Sequence, residues 1–408
     1  MPAGTPRLAV LDLVRGIAVL GILAINLGGY AGPIAAALSP NLPSPGTPAD
    51  ELWFALTTLL FEGKMRALFT LLFGASLLLF IDRAEARGED GERLQLRRLG
   101  WLALFGYLHY VLLWWGDILF TYAVAGFAAL AFRQARPAAL MAAGVTLFAA
   151  WHLTMAALGL PQIRIEERVL QGTAPSAEAA SYARERSRDA AATARELAGY
   201  RRGFAAQVIG KLSIQPDEPL RAAMGTLGES LPLMLIGMAL FRTGLYAGRW
   251  PRRLLTGLAA LGIAIGGLLT GLLVAFAWSR HFPPVLMVQV LAYHMALPHL
   301  LMALGYLAAL VIAAPALLRS RLGDRLVAAG RMAFSNYLGM TVVMTGLFYG
   351  WGLGLVGRVP ERWLWPFLLS GWVLMLAWSQ PWLARFRHGP LEWLWRCLTY
   401  RQWMPLRR

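Results

Sequence analysis

Runs of about 20 mostly apolar residues recur along the chain, each closed by a short polar segment. This repetition predicts helices that cross a membrane. Ten runs stand out, at about residues 9–30, 52–81, 99–115, 118–132, 138–160, 224–241, 254–278, 285–314, 332–356 and 363–383. No alternating ten-residue pattern occurs, so a β-barrel is not expected. Residues 162–221 depart from the pattern: they are polar and rich in Ala, Arg and Glu. This segment is expected to be largely helical and outside the hydrocarbon, with residues 208–213 near the interface. The tail, residues 385–408, mixes Trp393, Trp395 and Trp403 with Arg396, Arg401, Arg407 and Arg408, the pattern of an interfacial helix. The expectation is one all-α integral membrane domain over residues 1–408, with about ten transmembrane helices, a polar helical insert and a basic-aromatic tail.

Composition supports this. Of 408 residues, 58% are hydrophobic and only 15% charged, with a mean hydropathy of +0.53. The net charge of +16 raises the question of nucleic acid, but the arginines sit mostly in short loops at alternate ends of the spans, where they set topology. No nucleic-acid partner is expected; the partner is the lipid bilayer. The single cysteine, Cys397, excludes an intrachain disulfide and a cysteine-based metal site. Asp12 and Arg15 interrupt what would be the apolar region of a signal peptide, so the first run is expected to be a span.

With ten spans, the basic clusters after spans two, four, six and eight fall on one side together with the tail. The opposite side holds few cations in its short loops. Both termini are therefore expected in the cytoplasm and the insert outside, its ten Lys and Arg being poor topological votes in so long a segment.

Polar residues inside spans are where chemistry is sought. The stretch from Gly106 to Gly126, GYLHYVLLWWGDILFTYAVAG, carries His109 and Asp117 and is broken at Gly116-Asp117. It predicts a tight helical hairpin with a histidine on the first arm and a carboxylate at the turn. The plain alternatives are a neutral core histidine and a cap for the next helix. A histidine beside a carboxylate in a membrane bundle points to a general base. Eight residues along one helix span about 12 Å, so contact requires the turn to fold back or a water between.

In span two, FEGKMRALFTLLFG places Glu62, Lys64 and Arg66 together. Glu62 and Arg66 are four apart and can pair. The cluster predicts a water-filled pocket or a re-entrant turn capped by its own charges, and the latter leaves Lys64 without a partner. Asp12 and Arg15 read as a structural ion pair, and Asn26 as a cavity or helix-packing residue. His294 and His299, five apart around Pro298, are about 140° apart on the wheel, so they form no metal pair, though one can face a cavity. His152, His281 and His388 read as interface or loop residues, and Ser335, Asn336 and Tyr337 as helix-packing groups. No metal-ligand spacing, phosphate loop or nucleophile elbow is evident, so no metal is expected.

Several segments, taken in order, resemble the bacterial YeiB-like membrane proteins: RLAVLDLVRGIAVLGILAINL, FEGKMRALFTLLFGAS, RRLGWLALFGYLHYVLLWWGDILFTYAVAGF, GRMAFSNYLGMT and GPLEWLWRCLTY. This family resembles in turn a wider group of transmembrane acyltransferases that includes heparan-α-glucosaminide N-acetyltransferase, through the LDLVRG opening and a membrane histidine. The resemblance implies a protein of the bacterial cytoplasmic (inner) membrane. It would pass an acyl group, with acetyl the expected one, from cytoplasmic acyl-CoA to an extracytoplasmic sugar or envelope acceptor. His109 would be the base or transient acyl carrier, Asp117 would orient it or bind the acceptor, and Arg97, Arg98 and Arg331 would hold the donor's phosphates. Topology alone also accounts for those arginines. A transporter or flippase, with Asn26, Glu62, Lys64, Arg66, His294 and His299 lining a path, is the alternative; a non-catalytic partner protein is a third. The sequence sets no oligomeric state.

Overall fold

The computed structural model describes residues 6–408. Among these, the chain is helical throughout, with a single isolated bridge between Phe386 and Arg407. The helices are α1 Pro6–Ala31, α2 Ile34–Leu38, α3 Pro48–Leu60, α4 Lys64–Glu85, α5 Gly91–Leu112, α6 Leu119–Leu130, α7 Pro137–Leu170, α8 Ser176–Tyr200 and α9 Phe204–Ile214. They continue as α10 Glu218–Arg242, α11 Arg252–Trp278, α12 Pro284–Gln289, α13 Ala296–Leu317, α14 Arg321–Arg331, α15 Ala333–Phe348, α16 Trp365–Arg385 and α17 Pro390–Tyr400.

Seven helical stretches among the described residues are long and apolar enough to cross a membrane: the residues of α1, α3 with α4, α7, α10, α11, α13 and α16. The other three expected spans are also helical but differ in kind. α5 begins eight residues earlier than its apolar run, so its first turns carry Glu92, Arg93, Arg97 and Arg98. α6 and α15 are shorter apolar helices. The protein is thus an all-helical, multi-pass membrane protein.

Local chemistry sets the breaks. α5 starts where Asp90 accepts a hydrogen bond from Arg93 N, a cap for an otherwise unpaired donor. α3 starts with a capping box of Thr47 and Asp50. The expected interruption of span two falls at residues 61–63, where Gly63 adopts φ 72°, a left-handed conformation that favours glycine. The expected eighth span is broken by a π-helical turn at Val290–His294 between α12 and α13.

The core gathers around α1, α4, α10 and α13, where Leu13, Val14, Leu68, Leu71, Met234 and Leu307 are fully buried. The most extensive pairings join α11 to α13, α10 to α7 and α4, and α1 to α14. The insert begins later than its sequence suggests, because α7 continues unbroken through Pro161 to Leu170. Its polar helix α8 is mostly exposed, as its charge predicts, yet it is fastened to the bundle at its far end. The Tyr200 ring stacks on Tyr349 at 4.6 Å, Gly350 N donates to Tyr200 O, and Ile34 N donates to Glu196 Oε1 at 3.0 Å. α4 starts, and its antiparallel neighbour α5 ends, at the end of the bundle that carries the insert.

Candidate functional site

The hairpin between α5 and α6 folds back on itself. Residues 113–118 leave the helix, and Asp117 Oδ1 comes within 2.8 Å of His109 Nδ1. Gly106 permits this: a Cβ there would stand 2.3 Å from Phe120 N and 2.7 Å from Asp117 Oδ2. Asp117 Oδ2 also accepts from Phe120 N at 2.7 Å. One carboxylate therefore orients the imidazole and satisfies a donor at the start of α6.

The other imidazole nitrogen, Nε2, lies 3.1 Å from Thr341 Oγ1 on α15. That hydroxyl is 2.9 Å from Tyr30 Oη on α1 and 3.1 Å from Tyr337 O. Tyr337 packs its ring against His109 at 5.2 Å and donates through its hydroxyl to Gly116 O. Trp114 closes the other side, with its indole N–H on Gly29 O. The His109 and Asp117 side chains are 0% and 3% exposed. Two ionisable groups so deeply buried persist because each is paired. With a carboxylate on Nδ1, the imidazole carries its proton there and presents Nε2 as a base toward Thr341, the arrangement of an oriented general base.

Thr341 and Tyr30 carry no sequence signal of a site, and Tyr337 reads from sequence as a packing group. Hydroxyl residues are frequent in membrane helices, and nothing in their spacing shows that α1 and α15 converge on α5.

The second group of candidates surrounds the break between α3 and α4. Arg66 pairs with Glu62, as its spacing predicts, at 3.6 Å. It also pairs with Glu229 on α10 through Nε at 3.2 Å. Lys64 is fully buried and donates to Thr58 O at 2.6 Å; it caps the end of α3, so the turn supplies the partner that the sequence reading could not find. Arg66, Glu229, His152 and His299 border a small cavity with room for about one water molecule. Glu62 instead borders a second, somewhat roomier cavity with Trp53 and Glu361. His152 is thus a buried cavity residue, contrary to its reading as an interface or loop group: α7 turns it inward, with Nδ1 2.8 Å from Phe148 O. Of the two histidines flanking Pro298, His299 lies on the first cavity, and His294 lies on the π-helical turn with Nδ1 at 3.0 Å from Gln289 O. Asn26 is hydrogen-bonded to the Tyr30 side chain and borders neither cavity.

The arginines expected to hold a donor sit toward the other end of α5. The Arg98 guanidinium lies between the Phe80 and Trp395 rings, 4.7 and 4.3 Å from their centroids, so any polar partner meets its edge. Arg97 is near Arg93 and Arg401. Arg331 is exposed and donates to Arg387 O at 3.1 Å. Nearby, Glu392 accepts from Ser335 and from the backbone N–H groups of Phe334 and Ser335. Burial is the main influence on this carboxyl and raises its pKa, opposed by those hydrogen bonds. Glu392 therefore ties the tail helix α17 to α15. No group of three or more His, Cys, Asp or Glu positioned to hold a metal occurs among the described residues.

Helices long enough to span, buried paired charges and an intramembrane histidine define a multi-pass membrane protein with a polar interior. Comparison places it more closely. The chain is 31% identical over 400 residues to the uncharacterised Escherichia coli (strain K12) protein YeiB, covering 97% of each chain. It is 30% identical over 415 residues to the uncharacterised Bacillus subtilis (strain 168) protein YxaH, covering 98% of this chain and 96% of that one. Residues 240–402 match a family described as a protein of unknown function, DUF418. The chain belongs to the YeiB-like family. No solved structure matches it.

Proposed function

We propose that the protein is an acyltransferase of the bacterial inner membrane that moves an acyl group from cytoplasmic acyl-CoA to a hydroxyl or amine acceptor on the far side. The observation that carries this reading is the Asp117–His109–Thr341 chain inside the bundle. His109 Nε2 takes the proton of the attacking group as its oxygen or nitrogen bonds to the thioester carbonyl carbon. The C–S bond then breaks, and His109 returns the proton to the departing thiolate. Asp117 holds the imidazole in the required tautomer throughout. The Tyr337 and Trp114 rings swing aside to admit the reactants.

The cationic end of α5 suits the donor's phosphates. Arg98 is eleven residues from His109, about 16 Å along the helix, so an extended thioester arm links the two. With the arginine-rich end in the cytoplasm, His109 stands in the outer half of the membrane beneath the insert. The test is transfer of labelled acetyl groups from acetyl-CoA to membrane extract by purified protein. The expected outcome is that His109→Ala lowers transfer by about 10²–10⁴-fold; equal transfer by wild type and variant would sink the assignment.

A second reading, transport of a small polar substrate, is favoured by the broken helix at Gly63 and the Glu62–Arg66–Glu229 charges beside two cavities. Uptake into proteoliposomes without acyl-CoA separates it from acyl transfer.

A further inference from the structure

His109 is enclosed away from solvent: it borders neither cavity and its side chain is 0% exposed. A buried base that gains and loses protons needs a hydrogen-bonded route to solvent. A line of hydroxyls marks one. Thr341 Oγ1 lies between His109 Nε2 and Tyr30 Oη, as described above. Beyond Tyr30, the ends of three helices meet. Gly357 N donates to Ala31 O, next to Tyr30, and Gly350 N, next to Tyr349, donates to Tyr200 O. Tyr349, just past the end of α15, has Tyr30 of α1 beside it on one side. On the other side the Tyr200 ring of α8 stacks on it, tilted by only 9°. Tyr200 Oη then donates to Glu196 Oε1 at 2.6 Å, and Glu196 is half-buried on the largely exposed insert helix.

Tyr349 is the informative member. It is fully buried, and its Oη has no hydrogen-bond partner. A buried hydroxyl without a partner costs stability. Phenylalanine would keep the stacking and the packing without that cost, so neither explains the hydroxyl; its place between two other tyrosines does. We propose that Glu196, Tyr200, Tyr349, Tyr30 and Thr341 relay protons between the solvent around the insert and His109, with Tyr349 as the link that opens and closes. Protonated Glu196 gives its proton to Tyr200 Oη. Each hydroxyl then accepts one proton and passes its own to the next oxygen, and the Thr341 proton ends on His109 Nε2. Every hydroxyl stays neutral, His109 Nδ1–H stays on Asp117, and the net change is one proton moved from Glu196 to His109. Two small movements gate the path: a shift of the Tyr349 side chain toward each neighbour, and rotation of the Thr341 hydroxyl from Tyr337 O, its other acceptor, to His109. The titratable groups facing His109 are Asp117 from the turn, Tyr337 from α15 and, through Thr341, Tyr30 from α1; only Tyr30 belongs to the relay. The relay serves the buried base whether or not that base transfers acyl groups.

The relay residues touch no reacting atom, so the readout is the proton on His109 itself. Full-length protein labelled with ¹⁵N-histidine is purified in detergent and titrated with pH. The His109 Nε2 resonance is assigned by replacing the six histidines one at a time. Its line shape gives the rate of proton gain and loss, compared between proteins at each one's own midpoint. Tyr349→Phe is expected to slow that rate about tenfold or more, the kinetic equivalent of losing one hydrogen bond from the path. Its thermal unfolding is expected to stay where it is, because the hydroxyl it removes is unpaired. Tyr246→Phe is the control: Tyr246 Oη is also buried without a partner but lies outside the relay, and the rate stays at the wild-type value. Tyr200→Phe carries the test if Tyr349→Phe does not fold, as judged by gel filtration. The relay is overturned if Tyr349→Phe exchanges as fast as wild type, if Tyr246→Phe slows exchange as much, or if His109 Nε2 takes up no proton across the titration. No acyl-CoA is present, so failure of the relay and failure of acyl transfer are read separately.

Discussion

Asp117 serves two partners with two oxygens, and a single-atom change separates them. In Asp117→Asn, the remaining oxygen still accepts from Phe120 N, and asparagine suits a helix start as well as aspartate does. The amide nitrogen then faces His109 Nδ1–H, donor against donor, and the imidazole turns to the wrong tautomer. Asp117→Asn is expected to lower acyl transfer on the order of 10²-fold or more while thermal unfolding shifts little. Asp117→Ala should lose about 1 kcal/mol in addition, because the start of α6 loses its acceptor. If the two variants unfold alike and Asn retains full transfer, Asp117 is only a cap. The pairing of His109 and Asp117 was legible because Gly116-Asp117 breaks an apolar run and a carboxylate rarely stands in lipid unused. Its third member was not, since Thr341 lies 232 positions away and only the packing of α15 against α1 brings it there.

Among the elements, the turn between α3 and α4 is the most constrained. Gly63 holds φ 72°, and a Cβ on it would stand 1.8 Å from His299 Nδ1. Gly63→Ala therefore combines a left-handed conformation, costing about 1–2 kcal/mol, with a clash against a buried ring. A loss of a few kcal/mol, read as a lower thermal unfolding temperature, is expected. Gly63→Ala with His299→Ala should recover the clash but not the backbone strain, leaving partial destabilisation. Full recovery would show that backbone conformation contributes nothing. The three charges at Glu62, Lys64 and Arg66 made this break visible in the sequence, and the Glu62–Arg66 pair followed from helical spacing. Glu229 escaped notice because it sits in the apolar run of α10 with no charged neighbour one turn away, and its partner is 163 residues distant. The π-helical turn left no sequence signal beyond Pro298, because a proline inside a span predicts a kink without its form.

At the scale of the molecule, the insert is clamped over the end of the bundle that holds the His109 chain, and the clamp contains two ionisable groups whose titration is shifted by burial. Lys211 on α9 donates to Tyr110 O at 2.7 Å, beside His109 in sequence, while Tyr110 Oη donates to Gln215 O. Burial lowers the Lys211 pKa to about 7 from 10.5. A lysine whose folded pKa is depressed contributes stability present above its unfolded pKa and lost as pH falls through the folded one. Docking of α9 should therefore weaken as pH drops from 10.5 through about 7. Glu196 acts in the opposite sense. Burial raises its pKa above 4.5 despite the bonds from Tyr200 and Ile34 N, so its contribution is full below 4.5 and is lost as pH rises through the raised value. Limited proteolysis of the insert across this range should show both effects, and variants should separate them: Lys211→Met removes the loss of protection on acidification, and Glu196→Gln removes the loss on alkalinisation. On the proposed acyl-transfer reading the acceptor enters beside this clamp, and loosening it is then expected to change the KM for acceptor more than for acyl-CoA. If proteolysis is flat with pH in wild type, or if Lys211→Met keeps the acidic loss, these two groups do not govern the clamp, and access to His109 is set by the Tyr337 and Trp114 rings alone.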